Sequence, residues 1–332
     1  MTAGRRYALL LIALAALVLT LFALSLGIGQ VWIDPTRLIA ALGDTESAEA
    51  VVLAEIRLPR AILALCVGAI LGLSGAVLQG FLRNPLAEPG LIGISATASL
   101  GAVIAIYAGL TAIHPYALPL SALMGALVAV ALLQALTGRT TDILTLILAG
   151  VALSSLAGAL TSLALNLSRN PFAALEIVFW MLGSLTDRSM VHVGLALPFI
   201  VVGGVLLALT ARALDALSLG ADVARSLGVN LGRTRTLVVL GTAIGVGGAT
   251  AVSGAIGFVG LIVPHLLRPL VGHKPGRLLP ASALGGAVFL LAADISVRLI
   301  MPERDLKLGV VTAIIGAPFF LWLLVSLRRR AS

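Results

Sequence analysis

Charge is missing from this chain in long blocks, and the length of those blocks limits what it can fold into. No Asp, Glu, Lys or Arg lies between Arg6 and Asp34 (27 residues), Arg60 and Arg83 (22), Glu88 and Arg139 (50), Asp142 and Arg169 (26), Arg188 and Arg212 (23), Arg235 and Arg268 (32), or Lys307 and Arg328 (20). An eighth apolar run, Leu278 to Ile300, carries only Asp294 and Arg298 near its far end. A bilayer's hydrocarbon core takes about 20 residues per helix. The chain is 60% hydrophobic and 11% charged, against about 25% charged in a soluble domain, which excludes a water-soluble core. Lipid offers no partners to peptide groups, so a spanning chain must form helices or a closed barrel. Unbroken runs rather than ten-residue alternation select helices.

The blocks count out ten spans. The 50-residue block holds two helices around a turn at His114–Tyr116. The 32-residue block is rich in glycine and too long for one straight span. It reads as two helices joined near Ser253–Gly254, the second one short. Tyr7 to Gly29 exceeds a typical signal-peptide core and counts as the first span. No linker divides the chain, so residues 1–332 form one membrane domain. With ten spans the termini share a side. Placing both in the cytoplasm puts 14 of the 22 Lys and Arg inside, giving net +10 inside and −2 outside, which sum to +8. That asymmetry satisfies the positive-inside rule. The basic residues are thus short loop anchors rather than a patch, which excludes a nucleic-acid partner. Cys66 is the only cysteine, so no intrachain disulfide or multi-cysteine metal site can form.

Three extramembrane stretches remain. Residues 30–60 and 168–190 lie outside; the second contains ALEIVFWMLGSL, too short to span and suited to a re-entrant or interfacial helix. Residues 212–235 are cytoplasmic. Asp222 to Leu227 predicts a short helix stopped by Gly228, with Val223 and Leu227 on one face at i, i+4. Asn230 is placed to cap the next helix. This compact knob is either a lever for an ATPase or a loop folded on its own membrane domain. The segment Gly257 to Pro269 closes a span with Pro264, His265 and Arg268 close together. It is the floor of that span, or a working part of a pathway.

The chain has no energy source of its own. Neither Lys274 nor Lys307 sits in a phosphate-binding P-loop, G-x-x-x-x-G-K-[ST], and no catalytic set is present, so an enzyme is not expected. Ion coupling needs acids or histidines deep in the bundle; only Glu176 and Asp294 come close, and both sit near the external edge. The alternative of an ion-coupled secondary transporter stays open on these grounds. Arg169 and Arg188, near the outer mouth, are placed to attract an anionic cargo or to pair with Asp187 or Glu176.

Four segments resemble one family. RLPRAILALCVGAILGLSGAVLQGFLRNPLAEPGLIGIS (Arg57 to Ser95), SLGADVARSLGVNLGRTR, GAIGFVGLIVPHLLRPLVGH and KLGVVTAIIGAPFFLWLL resemble the permease subunits of bacterial ABC importers for ferric siderophores, haem and vitamin B12. The resemblance runs from about Arg57 to Leu324. It implies an all-α membrane fold of the vitamin B12-importer type in the inner membrane, working as a homodimer. The implied partners are two ATPase subunits, which carry ATP and Mg²⁺, and a periplasmic binding protein; no cofactor falls to this chain. It implies ATPase coupling at Leu219, Gly220, Asp222, Ala224, Arg225, Leu227 and Gly228. It implies binding-protein docking at Arg57, Arg60 and Arg298, as exposed charges that steer. A cytoplasmic gate is implied at Asn84 and Leu86, beside Thr140 and Thr141. NPFAALEIVFWMLGSLTDRS most resembles haem permeases. Histidine is a common haem-iron ligand, which makes His265 and His273 candidate haem contacts, against the plainer roles of a helix-end polar group and a solvated loop residue.

Overall fold

The computed structural model describes residues 3–29, 33–34, 47–114, 116–137, 143–301 and 306–331. Helices fill the charge-free blocks: α1 Ala3–Gly27, α2 Leu58–Phe81, α3 Ile94–Tyr107, α4 Ala117–Thr137, α5 Ile143–Leu167, α6 Pro171–Met181, α7 Met190–Ala208, α8 Ala211–Leu217, α9 Ala221–Ser226, α10 Leu231–Ser253, α11 Val259–Leu267, α12 Pro275–Ile300 and α13 Leu308–Ala331. Eight of these are long and apolar enough to cross a bilayer: α1, α2 with its helical extension from Ala48, α4, α5, α7, α10, α12 and α13. The other two expected spans are α3 and α11, with 14 and 9 residues. At 1.5 Å per residue they reach about 21 and 14 Å, short of a hydrocarbon core of about 30 Å. The expected joint after span seven is present, with α10 ending at Ser253 and Gly254 adopting φ 68°.

The centre of the bundle is the pair α2 and α12. Arg60 meets Asp294, Gly68 meets Gly286, and Gly72 meets Ser282, so the two run antiparallel. The glycines let backbones touch, which is how helices associate without a hydrophobic driving force. α7 and α10 pack the same way, Gly203 on Gly245, as do α3 and α4, with Gly101 on Ser121 and Gly125 on Thr97. α1 runs parallel to α12: the Tyr7 hydroxyl donates to the Arg277 carbonyl at one end, and Arg298 reaches the Ser25 carbonyl at the other. α13 starts beside the outer end of α10, since Gly309 N donates to Gly183 O and Ser184 N to Ser253 O. Its far end therefore returns to the side on which α1 begins.

A side chain on Gly72 would drive its Cβ into the Ser282 carbonyl, which is backbone and cannot yield, whereas Gly194 on α7 has open space. Overpacking of this kind costs about 1–3 kcal/mol. Gly72→Ala should lower the melting temperature of the detergent-solubilised protein, and Gly194→Ala should not. Equal melting temperatures for the two variants would refute the close contact.

Candidate functional site: outer cluster, re-entrant loop and cytoplasmic knob

At the outer end, three arginines converge on α1 and one carboxylate. Arg57 ends a six-residue π turn, Val52–Arg57, that leads into α2. It is 5% exposed, and its Nη1 donates to the carbonyls of Leu26 and Gly27 at 2.8 and 2.7 Å. The last carbonyls of a helix have no donors within it, and this guanidinium supplies them for α1. Arg60 Nε donates to Asp294 Oδ1 at 2.8 Å, and Arg298 Nη2 lies 2.7 Å from Asp294 Oδ2. Arg298 Nη1 also donates to the carbonyls of Ser25 and Ile28 at 2.8 and 2.7 Å, and its Nη2 to Ser25 Oγ. Asp294 is 0% exposed. The expectation of exposed docking charges is therefore corrected: all three arginines are turned inward and pin α1, α2 and α12 together. The frayed carbonyls of α1 and a buried carboxylate offer them better partners than water does.

Below the outer mouth the predicted span-end acids separate. Glu176 is exposed on the short helix α6. Arg188 donates through Nε to the Val252 carbonyl at 2.6 Å; burial pushes its guanidinium below its usual range, while Asp187 pulls the other way.

The RNPLAEP segment turns at Arg83, φ 49°, and climbs back into the bundle. Asn84 Oδ1 accepts from Leu86 N at 2.9 Å, and Asn84 O accepts from Ala87 N at 3.1 Å, so Asn84 folds the turn with its own side chain. Pro89 then packs against Gly260, and Gly93 against the backbone of Gly150 on α5. Glu88 accepts a hydrogen bond from Phe258 N, the residue that caps α11. α11 rises only about 14 Å from its cytoplasmic end, which places Glu88 near half depth. The sequence reading, which took Glu88 as a cytoplasmic boundary charge and found no deep acid besides Glu176 and Asp294, is corrected here. A loop that re-enters beside two half-length helices carries its charge with it, and such broken helices occur where they are enclosed by protein or line a cavity. Thr140 and Thr141 lie outside the described residues.

Gln79 of α2 organises α11. Pro264 has no N–H, so the carbonyl four residues earlier, Gly260, loses its helical donor. The buried Gln79 Nε2 supplies one, 3.2 Å from Gly260 O and 3.3 Å from Leu261 O, while Gln79 Oε1 accepts from Arg268 Nη2 at 2.6 Å. The proline and arginine that made this segment stand out are thus two ends of one contact to α2. His265 packs edge-on against Phe319 of α13, with ring centroids 5.7 Å apart. His273 is exposed in the turn before α12.

The cytoplasmic knob consists of α8 and α9. Leu214 of α8 is buried over Gly80 of α2, and Asp215 Oδ1 accepts from Gly276 N at the start of α12 at 2.7 Å. α9 follows Gly220, φ 116°, and stops at Gly228, φ 83°, conformations that favour glycine. Asn230 Oδ1 accepts from Arg233 N at 2.9 Å, capping α10 as expected. Ala224, one of the residues expected to couple, is fully buried in the main core and faces the permease itself. Leu219, Val223 and Leu227 are 66, 44 and 63% exposed, flanked by the exposed Asp222–Arg225 pair at 2.6 Å.

With these three regions in place, comparison with known proteins is decisive. Residues 17–326 match the FecCD transport family. The chain belongs to that family. It is 40% identical over 326 residues to the vitamin B12 import system permease protein BtuC of Salmonella typhi, covering 98% of this chain and 97% of that protein. It is 39% identical over 294 residues to the ABC transporter permease protein YvrB of Bacillus subtilis, covering 87% of this chain and 83% of that one. A metal-chelate type ABC transporter solved in an inward-facing conformation superposes with a TM-score of 0.84 at 34% identity, over 95% of this chain and 98% of its own. As a FecCD-family member the chain is a multi-pass membrane permease subunit of a bacterial ABC importer, and it is not itself an enzyme. An ATPase and a binding protein are its implied partners, which leaves no place for the ion-coupled alternative.

Four residues central to this FecCD-family structure were not singled out by sequence reasoning as site residues: Gln79, Glu88, Asp215 and Asp294. Asp294 and Arg298 do stand at the i, i+4 spacing of an ion pair, a signal present in the sequence. Gln79, Glu88 and Asp215 gain their roles only from partners 61 or more positions away.

Proposed function

We propose that the chain moves an iron chelate, with haem as the favoured cargo, from periplasm to cytoplasm across the inner membrane. It works as a homodimer with two ATPase subunits and a periplasmic binding protein. The observation that carries this reading is the exposed Leu219, Val223 and Leu227 on a knob beyond the inner helix ends, where lipid cannot cover them. An apolar face rimmed by charge on a soluble surface suits a protein partner, and an ATPase is the partner the family supplies. Leu227→Asp places a charge in the centre of that face. It should abolish stimulation of ATP hydrolysis by the binding protein in the reconstituted complex, with hydrolysis by the isolated ATPase unchanged. Undiminished stimulation would remove the knob from the coupling path.

At the outer mouth, the guanidiniums of Arg57, Arg60 and Arg298 would steer an acidic binding protein toward the pathway. Docking by Arg57, Arg60 and Arg298 then acts through their field, or after release from Asp294 and α1.

Haem is favoured by the likeness of the 170–189 segment to haem permeases, and His265 is the contact to test. Cobalamin is the second reading, favoured by 40% identity across 98% of the chain to vitamin B12 import permeases. The test is ATP-dependent uptake into proteoliposomes holding the permease, its ATPase and its binding protein, comparing haem, a ferrisiderophore and cobalamin. Uptake of cobalamin alone would overturn the haem reading. Uptake driven by an ion gradient without ATP would overturn the import mechanism. Haem uptake unchanged in His265→Ala would dismiss that histidine as a contact.

A further inference from the structure

We propose that Asp215 is the fastening between the cytoplasmic knob and α12, and that α12 carries ATPase-driven movement of the knob to the outer arginine cluster. This rests on the reading of the knob as the ATPase contact.

α12 cannot cap its own start. Its N-cap residue is Lys274, whose side chain has no acceptor, and its first helical residue is Pro275, which has no N–H. The first free donor is Gly276 N, and the acceptor comes from another element: Asp215 Oδ1 of α8, 2.7 Å away. A carboxylate at a helix N-terminus satisfies an otherwise unpaired donor and complements the positive end of the helix. Gly276 makes the approach possible, since a Cβ there would lie 2.6 Å from Asp215 Oδ2. The knob thus completes α12 rather than merely lying against it.

Beyond Pro280 in its second turn, α12 continues to Ile300 without a break. Along this length its backbone is locked to α2 through Ser282 on Gly72 and Gly286 on Gly68. Its outer end holds Asp294 and Arg298, the residues that fix Arg60 and α1. A push on α9 is passed to α8, to the first turn of α12, and along one helix to the outer mouth. The second attachment of α8, Leu214 over Gly80, leads into α2, which is the other half of the same locked pair.

The test uses the complete complex of permease dimer and ATPase, in a Cys66→Ser background, with spin labels introduced by Arg212→Cys or Leu299→Cys. Arg212 is exposed at the start of α8 in the knob, and Leu299 near the outer end of α12. Distances between the two protomers are measured by pulsed electron resonance without nucleotide and after trapping with ADP and vanadate. In the parent, trapping should shift both distances. In Asp215→Ala the Arg212 shift should remain and the Leu299 shift should shrink to what the Leu214–Gly80 contact still passes on. Gly276→Ala should do the same, and the double variant should add nothing, because both changes break one contact. Asp215→Asn, which keeps the acceptor oxygen, should retain the Leu299 shift. A full Leu299 shift in Asp215→Ala would overturn the proposal. If that variant does not assemble, Gly276→Ala decides by the same measurement. A parent complex that hydrolyses ATP while neither distance moves would overturn the ATPase-coupling reading itself.

Discussion

Asp294→Ala should destabilise the permease by about 3–5 kcal/mol, the cost of removing one partner from a buried ion pair. Two guanidiniums, Arg60 and Arg298, lose their shared carboxylate at once, and their side chains are only 14 and 9% exposed. Arg298 keeps its contacts to Ser25 and Ile28; Arg60 has no other acceptor among the described residues. The damage should show as a lower midpoint in thermal or denaturant unfolding of the detergent-solubilised protein. Proteolysis should also increase where α1 meets α2, because one of these arginines, Arg298, holds the outer end of α1 and is itself positioned by Asp294. Asp222→Ala is the matched control. It removes a carboxylate from an ion pair of similar length, 2.6 Å, but one that is solvent-exposed, and exposed pairs contribute about 0–1 kcal/mol. Equal unfolding midpoints for the two variants would show that the outer cluster does not hold the helices together. Asp294→Asn should fall between them, since the amide oxygen can still accept the hydrogen bond from Arg60.

The contrast between those two aspartates explains how far the sequence could be read. Where charge stops and starts is a property of the chain alone, and lipid enforces it, so the ends of α2, α7 and α12 fall close to the charged residues that bound their blocks. Local stereochemistry was equally legible: Gly228 ends α9 and Asn230 caps α10 because both act within three residues of themselves. What a charged side chain does after folding depends on distant partners. Arg57 looks like a surface charge until the end of α1, 30 and 31 positions earlier, presents two carbonyls that have no donor within the helix. Glu88 looks like the edge of a cytoplasmic loop until the loop re-enters the bundle and meets Phe258, 170 positions on. Ala224 fits the exposed face of α9 by resemblance, yet the tilt of the knob buries it and leaves Leu219, Val223 and Leu227 outside. The short helix was legible in the sequence; which of its side chains face outward was not, because that depends on how the knob packs on the bundle.

Gln79→Leu should have the second large effect, and Pro264→Ala should relieve part of it. Leucine fills a similar space, so the loss is one of hydrogen bonding rather than packing. Gly260 O is left without a donor because Pro264 cannot provide one, and Arg268 loses the amide oxygen 2.6 Å from its Nη2. An unsatisfied buried polar group costs about 1–3 kcal/mol, and more when it is charged. Pro264→Ala returns an N–H to α11 at the position that reaches Gly260 O in a regular helix. Gln79→Leu should therefore be less damaging in the Pro264→Ala background than in the parent, with a coupling of about 0.5–3 kcal/mol in a double-mutant cycle. The remainder belongs to Arg268, which the added N–H cannot help. Additive unfolding free energies would mean that Gln79 does not stand in for the donor that proline removes. The same cycle reports on the re-entrant loop, since α11 presents Phe258 N to Glu88. When Gln79 lets α11 shift, protease access to the Asn84–Glu88 turn should rise, and it should fall again in the double variant.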